Sequence, residues 1–169
     1  GITKIRLTGG EPLMRPDVVD IVRDMAAMPV KLGLSTNALR LHLCLDELIA
    51  AGLKHINISL DTFDAERFRQ LSRRDGHERI LANIEQAIDK GLHVKLNMVV
   101  MRGVNDDELL RFVELTRERI VHVRFIEFMP FDRNRWDIRL AVPLAEILSR
   151  VHDRFGADAV ESLPGAAND

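Results

Sequence analysis

The residues best suited to chemistry open the chain. Lys4-Ile5-Arg6-Leu7-Thr8 alternates polar and apolar side chains and runs into Gly9-Gly10-Glu11-Pro12, so an extended element stops at a turn that exposes its backbone. The turn offers unshielded amides and one carboxylate beside two cations, the equipment for holding a charged ligand. Alone, this tetrapeptide is equally a plain strand-to-helix turn. Four later stretches repeat the polar alternation: Lys31, Gly33 and Ser35; Asn57, Ser59 and Asp61; Lys95 and Asn97; His122 and Arg124.

These residues need strands to aim them and helices to cover the opposite faces. Pro16-Asp17 starts a helix carrying Val18, Ile21, Val22, Met25 and Met28 at helical spacing until Pro29. Lys31 to Thr36 is a strand, followed by a helical patch at Leu45, Leu48 and Ile49 that closes at Gly52. His55 to Leu60 is the third strand; helices are expected over Ala65 to Leu71 and Glu78 to Lys90, and Val94 to Val100 is the fourth strand. Asn105 with Glu108 reads as a capping box opening a helix over 106–119. Val123 to Phe128 is the fifth strand, with Glu127 marking a bulge or change of face, and a helix runs from Leu144 to about Phe155. Ala51-Gly52-Leu53-Lys54-His55-Ile56-Asn57 resembles Lys90-Gly91-Leu92-His93-Val94-Lys95-Leu96, a faint repeat of one βα unit. Iterated units of this kind predict a parallel βα barrel or part of one, with an open doubly wound sheet as the alternative.

If the apolar faces pack under the helices, the polar set lines the interior, where an ordinary barrel carries Val, Ile and Leu. Burying Lys4, Arg6, Lys95 and Arg124 unpaired would cost several kcal/mol per charge, so an anionic ligand, carboxylates such as Asp61 and Glu11, or water must compensate. Inward bases outnumber inward acids, which favours a phosphorylated ligand.

Composition narrows the class. The 169 residues are 46% apolar and 30% charged, with a net charge of -2, enough for one core and no general attraction to nucleic acid or anionic membrane. No stretch matches a signal peptide or a bilayer span, and the single Cys44 excludes an internal disulfide, so the cytoplasm is the expected location. Gly1 lies just ahead of a core strand, which points to an internal fragment. The six histidines lack metal-ligand spacing; His42, His77 and His152 are expected at the surface. Asp106-Asp107-Glu108 reads as a solvated helix start, Arg73-Arg74-Asp75 as a solvated loop, and Trp136 among Arg133, Arg135 and Arg139 as a cover for the barrel mouth.

Five motifs in order, Arg6 to Pro12, Leu34-Ser35-Thr36-Asn37, Asn57-Ile58-Ser59-Leu60-Asp61, Arg102-Gly103-Val104-Asn105-Asp106-Asp107 and Arg124-Phe125-Ile126-Glu127-Phe128-Met129-Pro130, resemble the radical S-adenosylmethionine (SAM) GTP 3′,8-cyclases. The resemblance spans roughly residues 1–150. It implies an α/β fold, a partial parallel (β/α)6 TIM-like barrel truncated at both ends, with residues 1–155 in the barrel and 156–169 beginning a C-terminal extension or linker. It further implies that S-adenosylmethionine at the C-terminal ends of the strands, bound to a 4Fe–4S cluster, is cleaved by one electron. The resulting radical removes the ribose 3′ hydrogen of GTP, and the ribose closes on guanine C8 toward molybdopterin. Carried over residue by residue, Gly9, Gly10, Glu11, Ser59, Asn97 and Met129 would hold S-adenosylmethionine, and Lys4, Arg6, Ser35, Lys95 and Arg124 would hold GTP. Implied partners are a reductant, a downstream cyclic pyranopterin monophosphate synthase and, as an option, a second copy in a homodimer.

The chain also departs from the family. The Cys-x-x-x-Cys-x-x-Cys loop and the cysteines of a second 4Fe–4S cluster are absent, so this chain holds no cluster through its own thiolates and is expected to be inactive alone. Cys44 reads as a small apolar side chain. Ser35 stands for the usual threonine, and Ala38 for a usual glycine, which makes the turn after Asn37 an open question. Another radical SAM enzyme, such as a peptide maturase, and a cluster-free ligand-binding remnant remain the alternatives.

Overall fold

The computed structural model describes residues 1–130 and 137–161. Five strands, β1 (Lys4–Leu7), β2 (Lys31–Thr36), β3 (His55–Ser59), β4 (His93–Val100) and β5 (Val121–Glu127), form one parallel sheet in sequence order. Between them run α1 (Val18–Ala26), α2 (Leu45–Ala50), α3 (Ala65–Ser72), α4 (His77–Asp89) and α5 (Leu109–Glu118), and α6 (Leu144–Phe155) follows β5. This is the iterated βα order expected of a partial barrel; among the described residues five strands are present and the sheet is not closed. No helix among the described residues is long and apolar enough to cross a membrane.

The core fills the space between the sheet and its helices. Leu34, Ile56, Ile58, Leu96 and Met98 on the strands are fully buried, as are Val22, Leu48 and Phe112 on the helices. Alternation along β2 and β4 is strict, buried residues giving way to partly exposed ones at every second position. Its apolar half drives the packing, and its polar half is left to face the other way.

Several local expectations need correction. Met28 lies beyond α1, which ends at Ala26, and is exposed. The capping box at Asn105 does not form: the Asn105 amide donates to the Asp61 and Val99 carbonyls and its Oδ1 accepts from Met101 N. Glu108 is buried and accepts from Thr62 Oγ1, Phe63 N and Arg67, so the acidic run is not a merely solvated helix start. His77 is buried too, its Nε2 lying 3.0 Å from the Thr62 carbonyl and its ring against Phe68. No bulge interrupts β5; its register with β4 runs unbroken to Val100 opposite Glu127, whose carboxylate accepts from Leu144 N at the start of α6. Trp136, Arg133 and Arg135 lie outside the described residues; Arg139 is exposed and paired with Asp137.

Candidate functional site

The strand register stacks the polar face into rows. Arg6, Gly33, His55 and His93 lie side by side across four strands. The next row toward the C-terminal ends holds Ser35, Asn57, Lys95 and His122, and the one after it Ser59, Asn97 and Arg124. Lys4 pairs with Lys31 below them all. Rows two residues apart are about 6.6 Å apart, so the Ser59 row stands roughly 13 Å above the His55 row.

One basin of about 460 Å³ is lined from all five strands. Lys4 and Arg6 come from β1, Lys31 and Gly33 from β2, and His55 and Asn57 from β3. His93 and Lys95 of β4 and His122 of β5 complete it. The five strands would span about 19 Å laid flat, yet side chains from all of them line this one basin, so the sheet is concave on its polar face. Among the described residues the basin's lining includes no carboxylate. Burial pushes the His55 imidazole below its ordinary pKa, and His93, Lys31, Lys4 and Lys54 add to the shift by repulsion. The two rings stack with centroids 4.7 Å apart.

Of the residues expected to hold GTP, Lys4, Arg6 and Lys95 line this basin, while Ser35 and Arg124 sit on the same face outside its lining. The residues that the motifs did not single out are Lys31, His55, His93 and His122. Their signal was parity: His55 and His93 each precede an inward residue, Asn57 or Lys95, by two positions.

The upper end is built differently. Beyond β1, Gly9 takes φ 144°, a region that favours glycine, and a methyl at Gly9 or Gly10 would meet no atom within 4 Å, so the ledge is open. Glu11 holds that ledge in place. Its Oε1 accepts from Thr36 Oγ1 at 2.6 Å and from Leu13 N at 3.1 Å, and its Oε2 from Asn37 N at 2.8 Å. A carboxylate takes about four such bonds, leaving room on Oε2 for roughly one more. Asn97 Oδ1 is buried and has no hydrogen-bond partner among the described residues, the mark of a polar group made for something else. Asp61, above Ser59, accepts from Val99 N at 2.9 Å, and burial pushes its carboxyl above the usual range. Met129 lies just past β5 and is exposed.

An open ledge and an orphaned amide suit a small polar cofactor, and in that respect the residues fit the methionine and ribose ends of S-adenosylmethionine. They do not fit an iron–sulfur cluster. Cys44 is the chain's one cysteine; its thiol is pushed up chiefly by burial, away from the thiolate that iron requires. It packs against the core beside α2, as a small apolar side chain does. Among the described residues no cluster of His, Cys, Asp or Glu could hold a metal ion.

The chain is 47% identical over 92% of its length to the GTP 3′,8-cyclase, mitochondrial, of Arabidopsis thaliana, and spans 40% of that protein. With the GTP 3′,8-cyclase of Moorella thermoacetica it shares 46% identity over 89% of its length, spanning 48% of the relative. The chain thus covers less than half of either. The crystal structure of a domain of pyruvate-formate lyase-activating enzyme from Bacteroides vulgatus superposes with a TM-score of 0.68 at 20% identity, covering 90% of this chain and 92% of that one, a likeness of fold alone. The Radical SAM superfamily description matches residues 1–116, more than half of the chain. With its parallel sheet, glycine ledge and curled polar face, this chain belongs to the radical SAM superfamily.

Proposed function

We propose that the chain is the barrel portion, residues 1–155, of a GTP 3′,8-cyclase of molybdenum cofactor biosynthesis, with residues 156–169 beginning a further segment. The observation that carries this reading is the basin in which Lys4, Arg6 and Lys95 converge below an open glycine ledge, with no carboxylate among its described lining residues. Relatives named for that activity at 46 and 47% identity support it. A peptide substrate gives no reason for four cations with no carboxylate among the described lining residues.

In this reading Gly9 and Gly10 let the cofactor's methionine end approach the backbone, and Glu11 offers its remaining acceptor position to the amino group. Ser59 and Asn97 bond its polar groups, and Met129 packs against it from beyond β5. Bound S-adenosylmethionine supplies the hydrogen-abstracting radical. Arg6 and Lys95 grip the GTP phosphates, Lys4 and Arg124 neutralise them, and Ser35 bonds a polar edge of the nucleotide; with both ligands fixed, the ribose 3′ position is presented to the ledge. The 4Fe–4S clusters, two in this reading, are held by cysteines outside this chain. A reductant and a downstream cyclic pyranopterin monophosphate synthase are the partners it calls for, a homodimer is compatible with it, and the single cysteine agrees with the reducing cytoplasm.

The test is calorimetry on the full-length protein. Arg6→Ala and Lys95→Ala should each weaken GTP by about 10- to 150-fold, the worth of a charge-assisted hydrogen bond, and leave S-adenosylmethionine affinity within about twofold. Wild-type GTP affinity in both variants overturns the assignment.

A further inference from the structure

The lower end of the basin is made of groups to which the proposed reading gives no role. Lys31 sits beside Lys4, and His55 and His93 stack in the row of Arg6, with His122 beside Lys95 one row above. Gly33 occupies the position between Arg6 and His55 and contributes no side chain, which leaves that row open. All three histidines reach the same cavity as four cationic side chains.

Such an arrangement has a chemical consequence. Among the described residues, the titratable groups that line the basin with His55 or act on it are Lys4 and Arg6 from β1, Lys31 from β2, Lys54 just before it, His93 and Lys95 from β4 and His122 from β5, and each of these is a base. Burial, and after it crowding by neighbouring bases, shifts the His55 imidazole toward its neutral form. The His93 ring stacked on His55 adds to that repulsion. A polyanion entering the basin reverses that field, favours imidazolium and gains donors as it binds.

Resting on the GTP reading of this basin, we propose that Lys31, His55, His93 and His122 form a proton-coupled subsite for the terminal phosphates, so that the nucleotide's anionic end binds together with a proton. The His55–His93 row lies roughly 13 Å along the strands from the Ser59 row, with His122 about 7 Å nearer to it and Lys31 about 7 Å farther, which sets the phosphates toward the end of the basin away from the glycine ledge. Proton uptake makes binding tighter as pH falls through the range where His55 charges.

The experiment is titration calorimetry of the full-length protein with GTP, inorganic tripolyphosphate and guanosine. It is run at about pH 7.5 in two buffers of different ionisation enthalpy that together count the protons bound, with the proton that tripolyphosphate itself still carries at that pH entered in its count. Wild type should take up a substantial fraction of a proton with either anion. His55→Gln combined with His93→Gln should abolish that uptake and weaken both anions by about tenfold, and Lys31→Ala should weaken them by a similar factor, with guanosine unchanged throughout. Wild-type affinity and proton count in the double variant overturn the subsite. Should that variant not fold, the imidazole proton resonances of the wild type, followed against pH with and without tripolyphosphate, decide: upward-shifted titration supports the proposal and unshifted titration refutes it. The two readings fail separately. Histidine-dependent tripolyphosphate binding without preference for GTP over ATP upholds the subsite and defeats the cyclase reading, GTP binding without histidine-dependent uptake does the reverse, and binding of neither anion defeats both.

Discussion

Ala38 carries an unusual backbone in a buried place. Its φ is 59°, a left-handed conformation, and its side chain is fully buried. Its amide donates to Thr36 Oγ1 at 3.0 Å and its carbonyl accepts from Asn83 at 2.7 Å, so both polar groups are satisfied only in that conformation. The turn where a glycine is usual therefore keeps the left-handed geometry with a methyl in it. Left-handed strain costs an alanine about 1–2 kcal/mol, against about 0.8 kcal/mol for the buried methyl and about 0.4–1 kcal/mol for the added freedom of an unfolded glycine. Ala38→Gly should accordingly change the unfolding free energy by less than about 1 kcal/mol in urea melts. Ala38→Val, β-branched and overpacked, should lose more than about 2 kcal/mol.

At the scale of elements, the ends of β2 and β3 are finished by the same device. Glu11 accepts from Thr36 Oγ1 and Asn37 N after β2; Glu108 accepts from Thr62 Oγ1 and Phe63 N after β3. In each copy the threonine hydroxyl also accepts from the amide two residues on, Ala38 or Asp64. A carboxylate from a neighbouring segment thus fixes the loop that leaves each strand, at the end where the glycine ledge lies. Glu108→Ala would leave the fully buried Thr62 hydroxyl and the Phe63 amide without their acceptor and Arg67 with Asp107 alone. The expected loss is about 2–4 kcal/mol in urea unfolding, with Glu108→Gln losing about half of that because one oxygen still accepts. No linear motif announced this, since the partners stand 45 and 46 residues apart.

For the whole molecule, a curled parallel sheet sets an open ledge at one end of a cationic basin, yet the chain spans 40 to 48% of the two cyclases it was compared with. On the cyclase reading, the parent reading frame should encode a Cys-x-x-x-Cys-x-x-Cys loop shortly before Gly1 and three further cysteines after Asp169; a frame lacking both triads would point to the ligand-binding remnant instead. The chain alone, incubated anaerobically with iron and sulfide and then desalted, should carry no brown iron–sulfur chromophore. Period-two alternation was enough to separate the two faces of every strand, because burial of Leu, Ile and Val under the helices follows from side-chain type. Glycine and proline punctuation placed the helices to within a few residues for the same local reason. What alternation could not give was depth: it assigned Lys31 and His122 to the polar face without saying that they meet Lys4, His55 and His93 in one cavity, which depends on strand register and curl. It also could not show that Glu11, Glu108, Asn105 and His77 would spend their polar groups on distant loops. Those pairings satisfy buried donors and acceptors that exist only once the strands have come together, so only the tertiary structure decided them.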